Sequence, residues 1–338
     1  TLRDVEMDSI RPISIYALPQ NALRPERMGM EVRFHVPVSP GMVQDVIRIR
    51  NDALPTGREV RFDTIWFVRD VNEVIRVYLL ADDSVYAVEN VDMTVRQLER
   101  SVTFGEYRVR YETEDGKLYR PTQAIRIAPR VEVPYTQYTS EQLRNSLFMD
   151  PGISRSIMQL NNTEIITDGK RGLEIDHTRH WMRYSDPVPP ADTEPAVETN
   201  LSSALQFVNE NGGWNGEYKL YALPESFAQE FRFIQYFESL PIVPTDQAKF
   251  GMIEVTMSSG LATGYERSII NPDWDRVSRS AASLPGGDSL KRMLSQYALA
   301  DFIVDLFPAY EPVIGETSIV LEPRWAVRLT DGRLDLLR

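Results

Sequence analysis

Strand-like and helix-like periodicities occupy separate blocks of this chain, and that separation limits its fold more than any other feature. Residues 60–67 and 73–80 are rich in Val, Ile, Tyr and Trp and read as strands. Tyr107, Val109 and Tyr111 alternate with arginines, and the Glu114-Asp115-Gly116 turn leads into an extended run ending at Pro129. Further on, Phe231, Phe233 and Gln235 alternate with Arg232 and Ile234, and residues 251–257 alternate as well. Residues 318–321 and 325–329 predict a final strand pair turning at Asp331-Gly332, and 13–18 a short strand closed by Pro19. Helical spacing is set apart from these runs. It follows Ser39-Pro40 at Met42, Val43, Val46, Ile47 and Ile49. It begins again at about Ser140, a cap for Leu143, Leu147 and Phe148, and at Asp288, a cap for Leu290, Met293, Leu294, Tyr297 and Val304, halted by Pro308. A doubly wound parallel sheet needs strand and helix to alternate strictly. The pattern instead predicts an α+β fold of mainly antiparallel sheets with packed helices.

With 338 residues the chain is long enough for two or three domains. Pro129 and Pro134 bracket an extended segment that predicts a boundary. The acidic stretch 185–199, with Pro187, Pro189, Pro190 and Pro195, predicts a loop. The resulting expectation is three α+β domains: 1–134, 135–222 and 223–338.

The central domain ends in Phe207-Val208-Asn209-Glu210-Asn211-Gly212-Gly213-Trp214. Leu201, Leu205 and Val208 share one helix face, with Ala204 beside them. Two glycines stop that helix, because glycine enters the left-handed conformation without strain. With Gly213 just past the cap, Trp214 is expected to fold back onto Val208 and anchor the helix end.

Catalytic and metal chemistry find little support. Cysteine is absent, which removes disulfides, zinc-thiolate sites and thiol nucleophiles. A formal net charge of −12 argues against nucleic acid and against an anionic membrane surface. There is no Gly-x-Ser-x-Gly elbow, Ser-x-x-Lys pair, phosphate loop or Gly-x-Gly-x-x-Gly turn. His177 and His180 are three apart rather than the helical four of a two-histidine zinc site. The run Asn271-Pro272-Asp273-Trp274-Asp275 lacks the glycine and glutamate of a calcium loop, with Arg276 and Ala282 in their places. No cofactor, metal ligand or catalytic residue is therefore expected. Asp150, Asp168 and Asp176 would have to converge, with raised pKa values, to form an acidic cleft for a cell-envelope ligand or for hydrolysis. Among the tryptophans, Trp214 and Trp325 are expected in the core. Trp274, between two aspartates, is the best candidate for an exposed partner contact.

Several segments carry a resemblance when taken in order. They are Leu147-Phe148-Met149-Asp150-Pro151, the run from Ile166 to Asp176 with Asp168-Gly169-Lys170-Arg171-Gly172, the Phe207 to Trp214 motif, Leu240-Pro241-Ile242-Val243, Gly264-Tyr265-Glu266-Arg267-Ser268 and Leu321-Glu322-Pro323-Arg324-Trp325. Over roughly 145–332 the chain resembles the extracytoplasmic part of the YycH family of low-GC Gram-positive bacteria. The resemblance implies a non-enzymatic regulator of the WalK (YycG) sensor kinase, acting with the partner protein YycI in cell-wall homeostasis signalling. It also implies that the central and C-terminal domains are YycI-like. A single N-terminal membrane helix, missing from these residues, would place the chain on the outer face of the cytoplasmic membrane. The resemblance leaves activation versus inhibition of the kinase open.

Overall fold

The computed structural model describes residues 5–18, 28–40, 47–49, 61–70, 72–81, 84–103, 108–113, 118–126, 128–188, 195–222 and 229–338. The chain divides into two compact units, Thr1–Arg108 and Val109–Arg338. No helix among the described residues is long and apolar enough to cross a membrane.

The first unit holds strands β1 (Glu6–Ile13), β2 (Gly29–Val38), β3 (Arg48–Ile49), β4 (Phe62–Arg69), β5 (Ile75–Leu80) and β6 (Val85–Val91). They form one sheet in the order β2-β4-β5-β6-β1-β3. Alternation sets a buried face: Ile65 and Phe67 of β4 lie opposite Leu79 and Val77 of β5, and all four are inside. The two strands expected at 60–67 and 73–80 are present as β4 and β5. The strand expected at 13–18 is corrected. Strand β1 ends at Ile13, and Ile15–Ala17 makes a 3-10 turn whose Tyr16 amide donates to the Ser14 hydroxyl. Most of the helix expected after Pro40 lies outside the described residues, and Ile49 belongs to β3. Helix α1 (Val95–Val102) opens on a Thr94/Gln97 capping box and buries Leu98.

The second unit is built on two sheets. A short pair, β7 (Tyr111–Glu112) and β8 (Arg120–Pro121), precedes β9 (Arg130–Gln137) and helix α2 (Ser140–Leu147). Then come β10 (Arg155–Met158), β11 (Thr163–Thr167), β12 (Gly172–Asp176), β13 (Trp181–Ser185) and helix α3 (Val197–Glu210). Strands β14 (Glu217–Ala222), β15 (Gln229–Phe237), β16 (Leu240–Pro241), β17 (Met252–Ser258) and β18 (Leu261–Ser268) complete a nine-stranded sheet. Its order is β10-β11-β12-β13-β18-β17-β15-β14, with β16 also on β15. Helices α2 and α3 contribute Leu143, Leu147, Ala204 and Val208 to one core with Leu173, Met182, Tyr265, Val255 and Phe231 of the sheet.

The other sheet joins β9 to β19 (Ile270–Pro272), β20 (Ser278–Ser280), β21 (Ile303–Ile314), β22 (Ser318–Leu329) and β23 (Leu334–Leu336). Helix α4 (Gly287–Gln296) buries Leu290 and Leu294 in a core with Trp325 and Val327. Every named ladder in the second unit is antiparallel, as the blockwise sequence pattern implies.

Several expectations need correction. The divisions at 134 and 222 do not separate compact units. Pro134 lies inside β9, which pairs with β22 and β19, and β14 and β15 pair directly across position 222. Those ladders join residues far apart in sequence, which local proline chemistry cannot reveal. Helix α2 is capped by Thr139, which forms a capping box with Gln142, and Ser140 is its first residue. Helix α4 begins after Gly286 with no side-chain cap and stops at Gln296. Val304 and Pro308 belong instead to β21, an edge strand, where a missing amide leaves no gap in an inner ladder. Residues 318–329 form one continuous strand, not two, and the Asp331-Gly332 turn leads to β23. Pro323 is tolerated because β9 pairs only as far as Leu321 and β23 only from Ala326.

Candidate functional site

Two of the segments that carry the resemblance, Phe207–Trp214 and Gly264–Ser268, meet at the C-terminal end of α3. The Gly213 amide donates to the Val208 carbonyl at 2.9 Å, closing the helix, while Gly212 (φ 98°) and Gly213 (φ 62°) are left-handed. Three successive carbonyls beyond the helix each take one side-chain donor. Asn211 O accepts from the Tyr265 hydroxyl (3.1 Å), Gly212 O from the Tyr138 hydroxyl (3.2 Å), and Gly213 O from Arg267 Nη1 (2.7 Å). The Arg267 guanidinium is 1% exposed and lies 5.1 Å over the Tyr138 ring. No carboxylate pairs with it among the described residues. Its counter-charge is the negative end of the helix, where unsatisfied carbonyls gather partial charge. Burial raises the pKa values of Tyr218 and Tyr265, so both remain neutral hydrogen-bond donors. The left-handed φ at Gly212 favours glycine, and a Cβ there would also press on Arg267 Nη1 at 3.1 Å.

The next residues are held as firmly. The Asn215 side chain donates to Ile270 O (2.8 Å) and accepts from the Tyr218 hydroxyl (2.7 Å). Asn215 O accepts from Trp274 Nε1 at 2.5 Å. Trp214 is only half-buried: it rests on Phe233 and Tyr218, packs against the core cluster that contains Val208, and its Nε1 donates to Asn209 Oδ1 at 2.7 Å. Gly212, not Gly213 as expected, is the first residue past the cap, Asn211. Leu205, expected in the core, is exposed. It borders an apolar hollow of about 380 Å³ with Leu201, Trp214, Tyr218, Leu220 and Phe233.

The opposite face of the nine-stranded sheet carries a row of charges in register. Glu174, Arg183, Glu266, Glu254 and Arg232 follow one another across β12, β13, β18, β17 and β15. Arg183 meets Glu266 at 2.7 Å and Arg232 meets Glu254 at 3.0 Å. Glu266 also accepts from Trp181 Nε1 at 3.0 Å. The two carboxylates in the middle sit directly opposite each other, an unfavourable cross-strand pair. Burial pushes the Glu254 carboxyl up, partly opposed by Arg232 and assisted by Glu230 and Glu266. A raised folded-state pKa favours the protonated form. Its contribution is therefore fully present below the unfolded pKa and is lost as pH rises through the folded value. Glu254→Gln is thus expected to gain about 0.5–1 kcal/mol at pH 7, with the gain vanishing near pH 4. Urea melts at the two pH values check this, and an equal gain at both would refute the electrostatic origin.

The aspartates of the expected acidic cleft do not converge. Asp168 turns β11 into β12 by accepting the Lys170 and Arg171 amides, and those bonds, the Arg171 amide first, pull its pKa down rather than up. Asp176 caps the turn at the far end of β12, about 13 Å of strand away. Asp150 caps a separate 3-10 turn through the Gly152 amide. His177 and His180 lie in the β12–β13 turn. His177 Nε2 is 3.4 Å from Glu164, His180 Nδ1 is 3.1 Å from Gln137 Nε2, and the described residues contain no metal-ligating cluster. Trp274 is corrected from exposed to half-buried: it stacks on Phe237 at 5.3 Å besides its bond to Asn215. Trp325 is in the core as expected, and its Nε1 donates to Pro285 O.

Sequence reasoning missed Arg267, Tyr138 and Tyr265 as a unit. The signal was present in Arg267 alone, which follows the inward-pointing Tyr265 at strand spacing and therefore points inward too.

Comparison with known proteins bears on the whole constellation. Residues 117–337 match the model of the YycH protein, C-terminal domain. A curated relative from Bacillus subtilis (strain 168), the two-component system WalR/WalK regulatory protein YycH, is 24% identical over 209 residues. That match spans 58% of this chain but 45% of the relative, so less than half of the relative's length is matched. The crystal structure of YycH from Bacillus subtilis has the same fold, with a TM-score of 0.76 at 15% identity, covering 99% of this chain and 87% of that one.

Proposed function

Because this chain belongs to the YycH family, we propose that it is a non-enzymatic regulatory protein that modulates a WalK (YycG)-type sensor histidine kinase by contact. In this reading it acts beside a YycI-type protein on the outer face of the cytoplasmic membrane, in signalling that controls cell-wall homeostasis. One observation carries the reading. The family-marking residues Gly212, Gly213, Tyr265 and Arg267 bind one another and main-chain carbonyls, so they shape a rigid body instead of a reaction centre. A rigid body regulates by fitting one signalling state of its partner better than the other. The part of the Trp274 ring that Phe237 leaves uncovered is one contact assigned to such a partner. The test is recovery of WalK-type and YycI-type proteins with the full-length protein from host membranes, together with the kinase's transcriptional output after gene deletion. Altered output and co-recovery are expected. Unchanged output after deletion would sink the reading.

A further inference from the structure

The nine-stranded sheet ends at β10, whose four residues are all exposed. Among the described residues its only ladder is with β11, and the Gln159 amide donates to Thr163 O at 2.8 Å. Antiparallel partners alternate between bonded and non-bonded pairs. Counting back from Gln159, Ile157 and Arg155 also bond toward β11, and the main-chain N–H and C=O of Ser156 and Met158 point off the sheet, with no partner among the described residues.

An open edge is a template for pairing, and proteins usually blunt it with charge, proline or a bulge. This one is flanked by apolar side chains instead. Met149, Ile153, Ile157, Met158 and Leu160 are all more than half exposed, Leu160 completely. Register places Ile157 on the face of the charge row, beside Ile165, and Met158 on the helix face, opposite Glu164. The strand's single charge, Arg155, forms no ion pair among the described residues. Glu164, the carboxylate nearest in the ladder, is already taken by Ser140, Ser156 and His177.

We infer that the β10 edge takes up an extended, acidic segment of another protein, which adds a tenth strand and places a carboxylate against Arg155. Charge complementarity decides between occupants. A second copy pairing through the same edge offers only residues 151–163, which contain no Asp or Glu, and so leaves Arg155 unanswered. A four-residue edge also buries far less than the 1,200–2,000 Å² typical of a stable interface. The contact therefore suits a partner already held nearby, where effective concentration makes up for weak intrinsic affinity. The inference rests on the proposed role as a contact regulator of a sensor kinase.

The test is hydrogen exchange at the Ser156 and Met158 amides of the full-length protein in lipid vesicles, alone and together with the full-length WalK-type kinase of its host. At least tenfold slower exchange is expected with the kinase. Arg155→Lys should keep that slowing, Arg155→Glu should abolish it, and Met158→Pro, which has no amide of its own at 158, should abolish it at Ser156. Proline is tolerated at 158, because its missing amide faces outward, and an unchanged thermal melt would confirm that the variant folds. Slowing by the protein alone at high concentration, or by vesicles alone, would replace the kinase with a second copy or with lipid and so overturn the inference. Kinase binding, measured separately by co-purification, with no slowing at 156 and 158 would overturn it while leaving the regulatory reading intact. Absence of kinase binding would instead remove the regulatory reading.

Discussion

Replacing Gly286 by alanine is expected to cost at least about 3 kcal/mol and to leave the second unit largely unfolded at 37 °C. A Cβ at this position would lie 2.1 Å from the Gln123 carbonyl oxygen and 2.3 Å from its carbon. Both are main-chain atoms, so no rotamer change can clear the overlap. Nor can the strands move apart cheaply. Ile125 and Leu284 exchange hydrogen bonds at 3.0 and 2.9 Å, and Trp325 Nε1 holds the Pro285 carbonyl at 2.7 Å. The backbone angles of Gly286 (φ −139°, ψ −175°) are open to any residue, so the cost is one of space and not of conformation. Gly169→Ala is the control. Its φ of 93° is left-handed but nothing lies within 4 Å of the added carbon, so only the conformational cost of about 1–2 kcal/mol applies. Urea midpoints by circular dichroism check both, and equal losses would refute the close-approach argument.

Arg267→Ala is expected to cost about 3–5 kcal/mol. The substitution empties the space of a long buried side chain and orphans the Gly213 carbonyl. It also removes the cation that answers the negative end of α3 and the Tyr138 ring face. Arg267→Lys should recover part of this loss. It keeps the charge but cannot bond Gly213 O and the Tyr265 hydroxyl together, as Nη1 does at 2.7 and 3.0 Å. Thermal melts of the three proteins should rank wild type, Lys, Ala. If lysine equals arginine, charge alone matters. If lysine equals alanine, the bonding geometry dominates.

Periodicity made the sheets legible. Strands β4, β5, β15 and β17 were readable because alternate residues such as Phe231, Phe233 and Val255 are apolar and buried. The helix stop at Gly212-Gly213 was readable because glycine is the residue that a left-handed turn selects. Reading failed where a distant strand overrode local chemistry. Pro308 suggested the end of a helix, and 318–321 and 325–329 read as two strands, yet Pro308 and Pro323 both lie within strands, at places where no inner partner needs their amide. The open edge at β10 went unread because Ile157, Met158 and Leu160 are apolar without a period, and only the strand order shows that no described strand pairs beyond them.

The sequence by itself determined the α+β class, the antiparallel character of the second unit and the family, because each follows from residue order and spacing along the chain. Only the tertiary structure decided what the Phe207–Trp214 motif does. Tyr138, Tyr265 and Arg267 come from β-strand and loop positions tens of residues away to bind three consecutive carbonyls of the helix end. The physical reason is that periodicity reports which face a residue occupies, whereas the partner across that face is set by strand order, which local sequence does not encode.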